Sequence, residues 1–163
     1  MMTIEVLGEG TGHTLGRFAM PTATCYLDRC DRRPLATCSV SDSVLDAAKR
    51  MNAEHIGSLP VLSDGQLVGI FTERDVLKRI VADGLDPSST TIGEVMSTPV
   101  TFATPDTPLS VLRTVMRDAH IRHIPIVQDN VPIAMISIGD LNRAQADEQD
   151  ETIHALEAYV NIR

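Results

Sequence analysis

The sequence predicts a mixed α/β (α+β) chain built from two copies of one β-α-β-β-α unit. Three observations predict it: an internal repeat, paired short apolar runs split by turn residues, and apolar positions at helical spacing beside each pair. Setting residues 51–76 against 116–141, an offset of 65, gives six identities in 26 positions, among them Met51/Met116, His55/His120, Pro60/Pro125 and Asp75/Asp140. Conservative pairs such as Leu59/Ile124, Val61/Ile126, Phe71/Ile136 and Thr72/Ser137 fall where an apolar core or a short hydroxyl has to recur.

Residues 1–34 read as an N-terminal arm, because "GEGTG" (Gly8 to Gly12) lacks the Lys-Ser/Thr and the strand-loop-helix frame of a phosphate loop. Copy one occupies 35–85. "LATCSV" is a short strand, Ser41 or Asp42 caps a helix over "VLDAAKRM", and Val44, Ala47, Ala48 and Met51 form its apolar stripe. "SLPVL" and "LVGIF" make a hairpin turning at Asp64-Gly65, and "DVLKRIVADG" closes the copy at Gly84. Copy two, 92–145, repeats the order: "PVTFAT", a helix over "LSVLRTVMRDA" capped by Asp106, then "HIPIV" and "IAMIS" around Asp129-Asn130. A C-terminal helix covers 146–163, with Ile153, Leu156 and Val160 on one stripe. Met20, Met51, Met96, Met116 and Met135 read as core filling, and His55 and His120 as helix-end residues.

Composition bounds the function. At 163 residues, 43% hydrophobic and 22% charged, the chain can bury a core of ordinary size. Its net charge of −8 argues against coating nucleic acid or an anionic membrane, and no apolar run approaches the roughly 20 residues needed to span a bilayer. The N-terminus has neither the basic nor the apolar region of a signal peptide, so a cytoplasmic protein is expected. The five histidines are scattered, and no nucleophile-base or metal-ligand spacing emerges; the expectation is a protein that is not an enzyme. Cys25, Cys30 and Cys38 contain no Cys-x-x-Cys pair, yet they keep open an alternative from another class, a thiol-based redox or metal-binding protein.

The chemistry-bearing pattern is a hydroxyl followed three residues later by a carboxylate at the end of an apolar run: Thr72 and Asp75 in "TERD", Ser137 and Asp140 in "SIGD". Helix capping alone accounts for one such pair; its recurrence in both copies favours a binding role. Basic residues are placed unequally, since Arg122 and His123 precede Pro125 where copy one has Gly57 and Ser58, and Arg74 faces Gly139 in the alignment.

Together "HIGSLPVL", "HIRHIPIV", "TIGEVMSTPV", "TERD" and "SIGD" resemble the paired cystathionine β-synthase (CBS) domain, or Bateman module, and within it the small stand-alone bacterial tandem proteins. The resemblance covers about residues 35–145 and implies two CBS-type repeats packed about a pseudo-two-fold axis. It also implies a regulatory or sensor module that binds adenosine-containing ligands between the copies: AMP, ADP, ATP, NAD or S-adenosylmethionine, with AMP, ATP or NAD foremost. On that implication Asp75 and Asp140 accept the ribose hydroxyls, Thr72 and Ser137 meet ribose or phosphate oxygen, and Arg74, Arg122 and His123 face phosphate. Affinity is then expected to rise with phosphate charge, aided by protonated His123 in mildly acidic buffer. The family further implies a homodimer paired through helices.

Overall fold

The computed structural model describes residues 5–7, 21–29 and 34–160; Gly8 to Gly12, Met20 and Cys30 lie outside them. Two sheets carry the two copies. In copy one, β2 (Cys38–Ser39) runs parallel to β3 (Ser58–Ser63), which pairs antiparallel with β4 (Gln66–Thr72). In copy two, β5 (Thr101–Ala103) runs parallel to β6 (His123–Gln128), which pairs antiparallel with β7 (Val131–Ser137). The offset of 65 persists in the register: Cys38 pairs Val61 as Ala103 pairs Ile126, and Ser58 pairs Thr72 as His123 pairs Ser137. Even the irregularity repeats, between Val61 and Leu62 and between Ile126 and Val127.

Both hairpins turn with two left-handed residues, Asp64 and Gly65 at φ 51° and 78°, and Asp129 and Asn130 at 52° and 63°. That is the geometry Asp, Asn and Gly tolerate, and it matches the twist of the flanking strands. Helices α2 (Val44–Glu54) and α5 (Leu109–Asp118) cover the sheets. The cap of α2 is Ser43, whose hydroxyl accepts from the Asp46 amide, not Ser41 or Asp42. Asp42 instead accepts from Ser39 N at 2.9 Å, and Thr107 takes the same part for Thr104 N at 3.1 Å. The cap position of α5 is Pro108, not Asp106. His55 and His120 both adopt left-handed backbone where their helices end, φ 55° and 54°.

Each copy has its own core: Val44, Met51, Leu59, Val61 and Phe71 in the first, and Leu112, Met116, Ile124, Ile126, Ile136 and Leu141 in the second. A third cluster of Leu67, Val100, Phe102 and Val127, with Ile70 against it, joins the copies. A backbone bond from Leu67 N to Asn130 O (3.3 Å) crosses the same seam.

Three places depart from the sequence expectation. Where 1–34 reads as an arm, β1 (Glu5–Leu7) pairs parallel with β5, and α1 (Ala23–Arg29) buries Ala23 in the second core, with Leu27 packed against it. The helix after β4 begins as α3 (Glu73–Asp75) and continues as a π-helical segment, Val76–Val81. The helix after β7 does not stop: α6 runs unbroken from Ile138 to Val160, so the closing helix of copy two and the C-terminal helix are one element. At the start of copy two, α4 (Ile92–Val95) is held by a capping box of Thr91 and Glu94.

Candidate functional site

The hydroxyl-x-x-carboxylate motif caps the start of a helix in both copies. Thr72 ends β4 in extended backbone, its hydroxyl accepts from the Asp75 amide (3.4 Å), and Asp75 Oδ2 accepts from Thr72 N and Oγ1 at 2.9 and 2.7 Å. Ser137 and Asp140 do the same: Asp140 Oδ2 accepts from Ser137 N and Oγ at 2.8 and 2.6 Å, and the Asp140 amide donates to Ser137 Oγ at 3.2 Å. Capping therefore uses one carboxylate oxygen per copy. What differs is the other oxygen.

Asp75 is 6% exposed, and its Oδ1 accepts from Ser97 Oγ at 2.9 Å, with Arg79 Nε at 3.7 Å. Arg79 is in turn held by the Val95 and Met96 carbonyls and by Ser97 Oγ. The segment that supplies Ser97 is clamped to β4: Ile70 and Ser97 exchange two backbone bonds (3.1 and 2.8 Å), and Met96 lies so close over Gly69 that a Cβ there would stand 2.3 Å from its sulfur. Both oxygens of Asp75 are thus consumed by a part-buried network tying the π-helical segment to the start of copy two. Asp140 has no second partner among the described residues, so one of its oxygens remains able to accept.

A cleft of about 640 Å³ opens at the seam. Copy one contributes the end of α2, Gly57 and Glu73; copy two contributes Arg122, His123, Ser137 and Gly139. Asp140 is not itself on the wall and is bonded to Ser137, which is. Of the residues expected at the site, Arg122, His123 and Ser137 line the cleft, Asp140 is joined to it through its bonds to Ser137, and Thr72, Arg74 and Asp75 are off the cleft wall. Arg74 donates across the copies to the His120 carbonyl at 2.9 Å.

The electrostatics are not those of a simple anion trap. Burial, then the neighbouring Arg122 charge, pushes the His123 imidazole below its ordinary value, against the opposing pull of Glu73 and Asp140. His123 is therefore neutral at neutral pH, and its protonation in mildly acidic buffer, expected from the unperturbed imidazole, moves to lower pH. Glu73, Arg79 and Ser97 were not picked out from the sequence. Each breaks the repeat, since Glu73 aligns with Ile138 and Arg79 with Ala144, and a search for matched pairs passes over unmatched residues.

The thiol alternative finds no support. Cys38 is buried with its thiol pushed up to about 12, first by burial and then by Asp42; Cys25 is exposed. Among the described residues no group of three His, Cys, Asp or Glu stands together as a metal requires, and no helix is long and apolar enough to cross a membrane.

Comparison with known proteins follows the same geometry. A family model described as the CBS domain matches residues 29–82 and 92–147. The chain is 38% identical over 128 residues to the CBS domain-containing protein CBSX3, mitochondrial, of Arabidopsis thaliana, covering 76% of this chain and 62% of that protein. It is 35% identical over 107 residues to CBS domain-containing protein YhcV of Bacillus subtilis, covering 66% and 76%. The chain thus spans less than two thirds of the Arabidopsis relative. Among solved structures it is similar to the CBS-domain containing protein ATU1752 from Agrobacterium tumefaciens, with TM-score 0.71, 28% identity and 77% and 99% of the two chains covered. It is also similar to the CBS domain pair of protein MJ0100 in complex with 5′-methylthioadenosine and S-adenosyl-L-methionine, with TM-score 0.69, 25% identity and 80% and 99% covered.

Proposed function

Because the chain belongs to the CBS-domain family and carries two CBS domains in tandem, we propose that it is a non-enzymatic regulatory module that binds an adenosine-containing ligand in the cleft at the seam of its two copies. The observation that carries this reading is the convergence in one cleft of Arg122 and Ser137, the latter bonded to Asp140, whose other oxygen has no partner among the described residues. A carboxylate oxygen suits a ribose hydroxyl donor, and a guanidinium suits a phosphate or carboxylate on the ligand. The volume lies within the range of small-molecule sites. The adenosyl ligands of the MJ0100 pair point to the same class.

Catalysis by Ser137 does not fit this geometry. Its hydroxyl donates to Asp140 and accepts from the Asp140 amide, so it is occupied in the helix cap. The ligand's effect is a shift between arrangements of the module, favouring the one it binds better. Native mass spectrometry of protein purified without added ligand tests the reading. A retained mass of an adenosyl compound supports it, and a zinc mass or a disulfide in its place sinks it.

A further inference from the structure

The cleft walls carry two formal charges, Glu73 from copy one and Arg122 from copy two. They occupy exchanged positions in the repeat. Glu73 N bonds to Gly57 O (3.1 Å) just as Ile138 N bonds to Arg122 O (2.9 Å), so copy one sets glycine and an acid where copy two sets arginine and an apolar residue. The Glu73 carboxylate is turned into the cleft beside His123: Glu73 Oε2 and His123 Cε1 lie 3.3 and 3.4 Å from where a Gly57 Cβ would stand. Neither Glu73 nor Arg122 has a side-chain hydrogen bond or ion pair among the described residues, so both are available to a ligand. With His123 neutral, the cleft wall sets one cation, Arg122, against one carboxylate, Glu73.

Such a field disfavours a ligand with several negative charges and suits one whose anion is accompanied by a cation. We infer that Glu73 selects the ligand by charge: within the adenosyl class proposed above, on which this inference rests, the cleft takes a compound whose 5′ substituent carries an ammonium as well as an anion, and rejects polyphosphates. The anion meets Arg122, and the ammonium meets Glu73. An α-amino-acid tail on the adenosyl group has this composition.

Calorimetric titration with adenosine, ATP and S-adenosylhomocysteine tests it on the wild type, on Glu73→Gln, which keeps the side chain's size, and on Glu73→Ser as a second variant. The wild type is expected to bind S-adenosylhomocysteine at least about tenfold more tightly than ATP, the scale of one partly screened charge interaction. Both variants should narrow that ratio by about tenfold with adenosine affinity unchanged, since adenosine has no charge for Glu73 to sense. A ratio unmoved by both variants, or a wild type that prefers ATP, overturns the inference while leaving the adenosyl reading intact if adenosine still binds. Failure of all three compounds to bind the wild type removes both.

Discussion

Asp75 and Asp140 share a motif and part company over one oxygen. Asp75→Ala removes the acceptor shared by Thr72 N, Thr72 Oγ1 and Ser97 Oγ, so it should lower stability by about 1–3 kcal/mol, measured by urea denaturation, with ligand affinity in the folded protein little changed. Arg122→Ala should weaken AMP by about 1–3 kcal/mol, the worth of a charge-assisted bond, and adenosine far less; equal losses for both ligands would mean that Arg122 acts through structure. His123 gives a pH prediction. Its folded value lies below the unfolded one near 6.5, so between those two values the unfolded state binds more protons and stability rises with pH. The contribution is present above about 6.5 and is lost as pH falls through the window down to the lowered value. Melting temperatures from pH 7.5 to 5 should fall less steeply in His123→Gln than in the wild type. An unchanged slope would mean that the half-buried imidazole is not what the pH dependence reads.

Elements were legible in proportion to how local their signals are. Both hairpins could be read because Asp-Gly and Asp-Asn specify left-handed turns by themselves, and Gly65→Ala, at φ 78°, should cost about 1 kcal/mol in stability for that reason. The stripe of α2 was legible as well, and Val44, Ala47 and Met51 are buried as its period requires. Its cap was not, because "SVSDSV" offers several capping side chains within five positions and only the backbone decides which one meets the helix amides. Strand β1 and helix α1 were illegible: a three-residue strand has no period to detect, and what secures it is a partner, β5, almost a hundred residues away. At the site, the repeat exposed the residues that recur. Glu73 and Arg79, which set the two copies apart, gave no matched signal, so the emptied role of Asp75 emerged only with its neighbours in place.

At the scale of the molecule, the seam cluster and the Ile70–Ser97 bridge make the two copies one body around the cleft, while part of the apolar surface stays outside every core. Leu77 and Val81 on the π-helical segment are 63% and 64% exposed, and Val111 on α5 and Ile153 on α6 are also exposed. Isologous pairing through these helices would bury them. Sedimentation should therefore give twice the 17.7 kDa chain mass at micromolar concentration, and Leu77→Glu with Val81→Glu should return it to one chain; a wild-type monomer throughout would refute the pairing.

The claim on which the rest depends is that a single ligand sits at the seam, with its ribose against Asp140. Titration calorimetry of adenosine into wild type, Asp140→Ala and Asp75→Ala addresses it most directly. The expected result is one site per chain in the wild type, a loss of about 1.5–3 kcal/mol in Asp140→Ala for a hydrogen bond to a charged acceptor, and near wild-type affinity in Asp75→Ala at a temperature where it remains folded. Two sites per chain, or undiminished binding in Asp140→Ala, would contradict it.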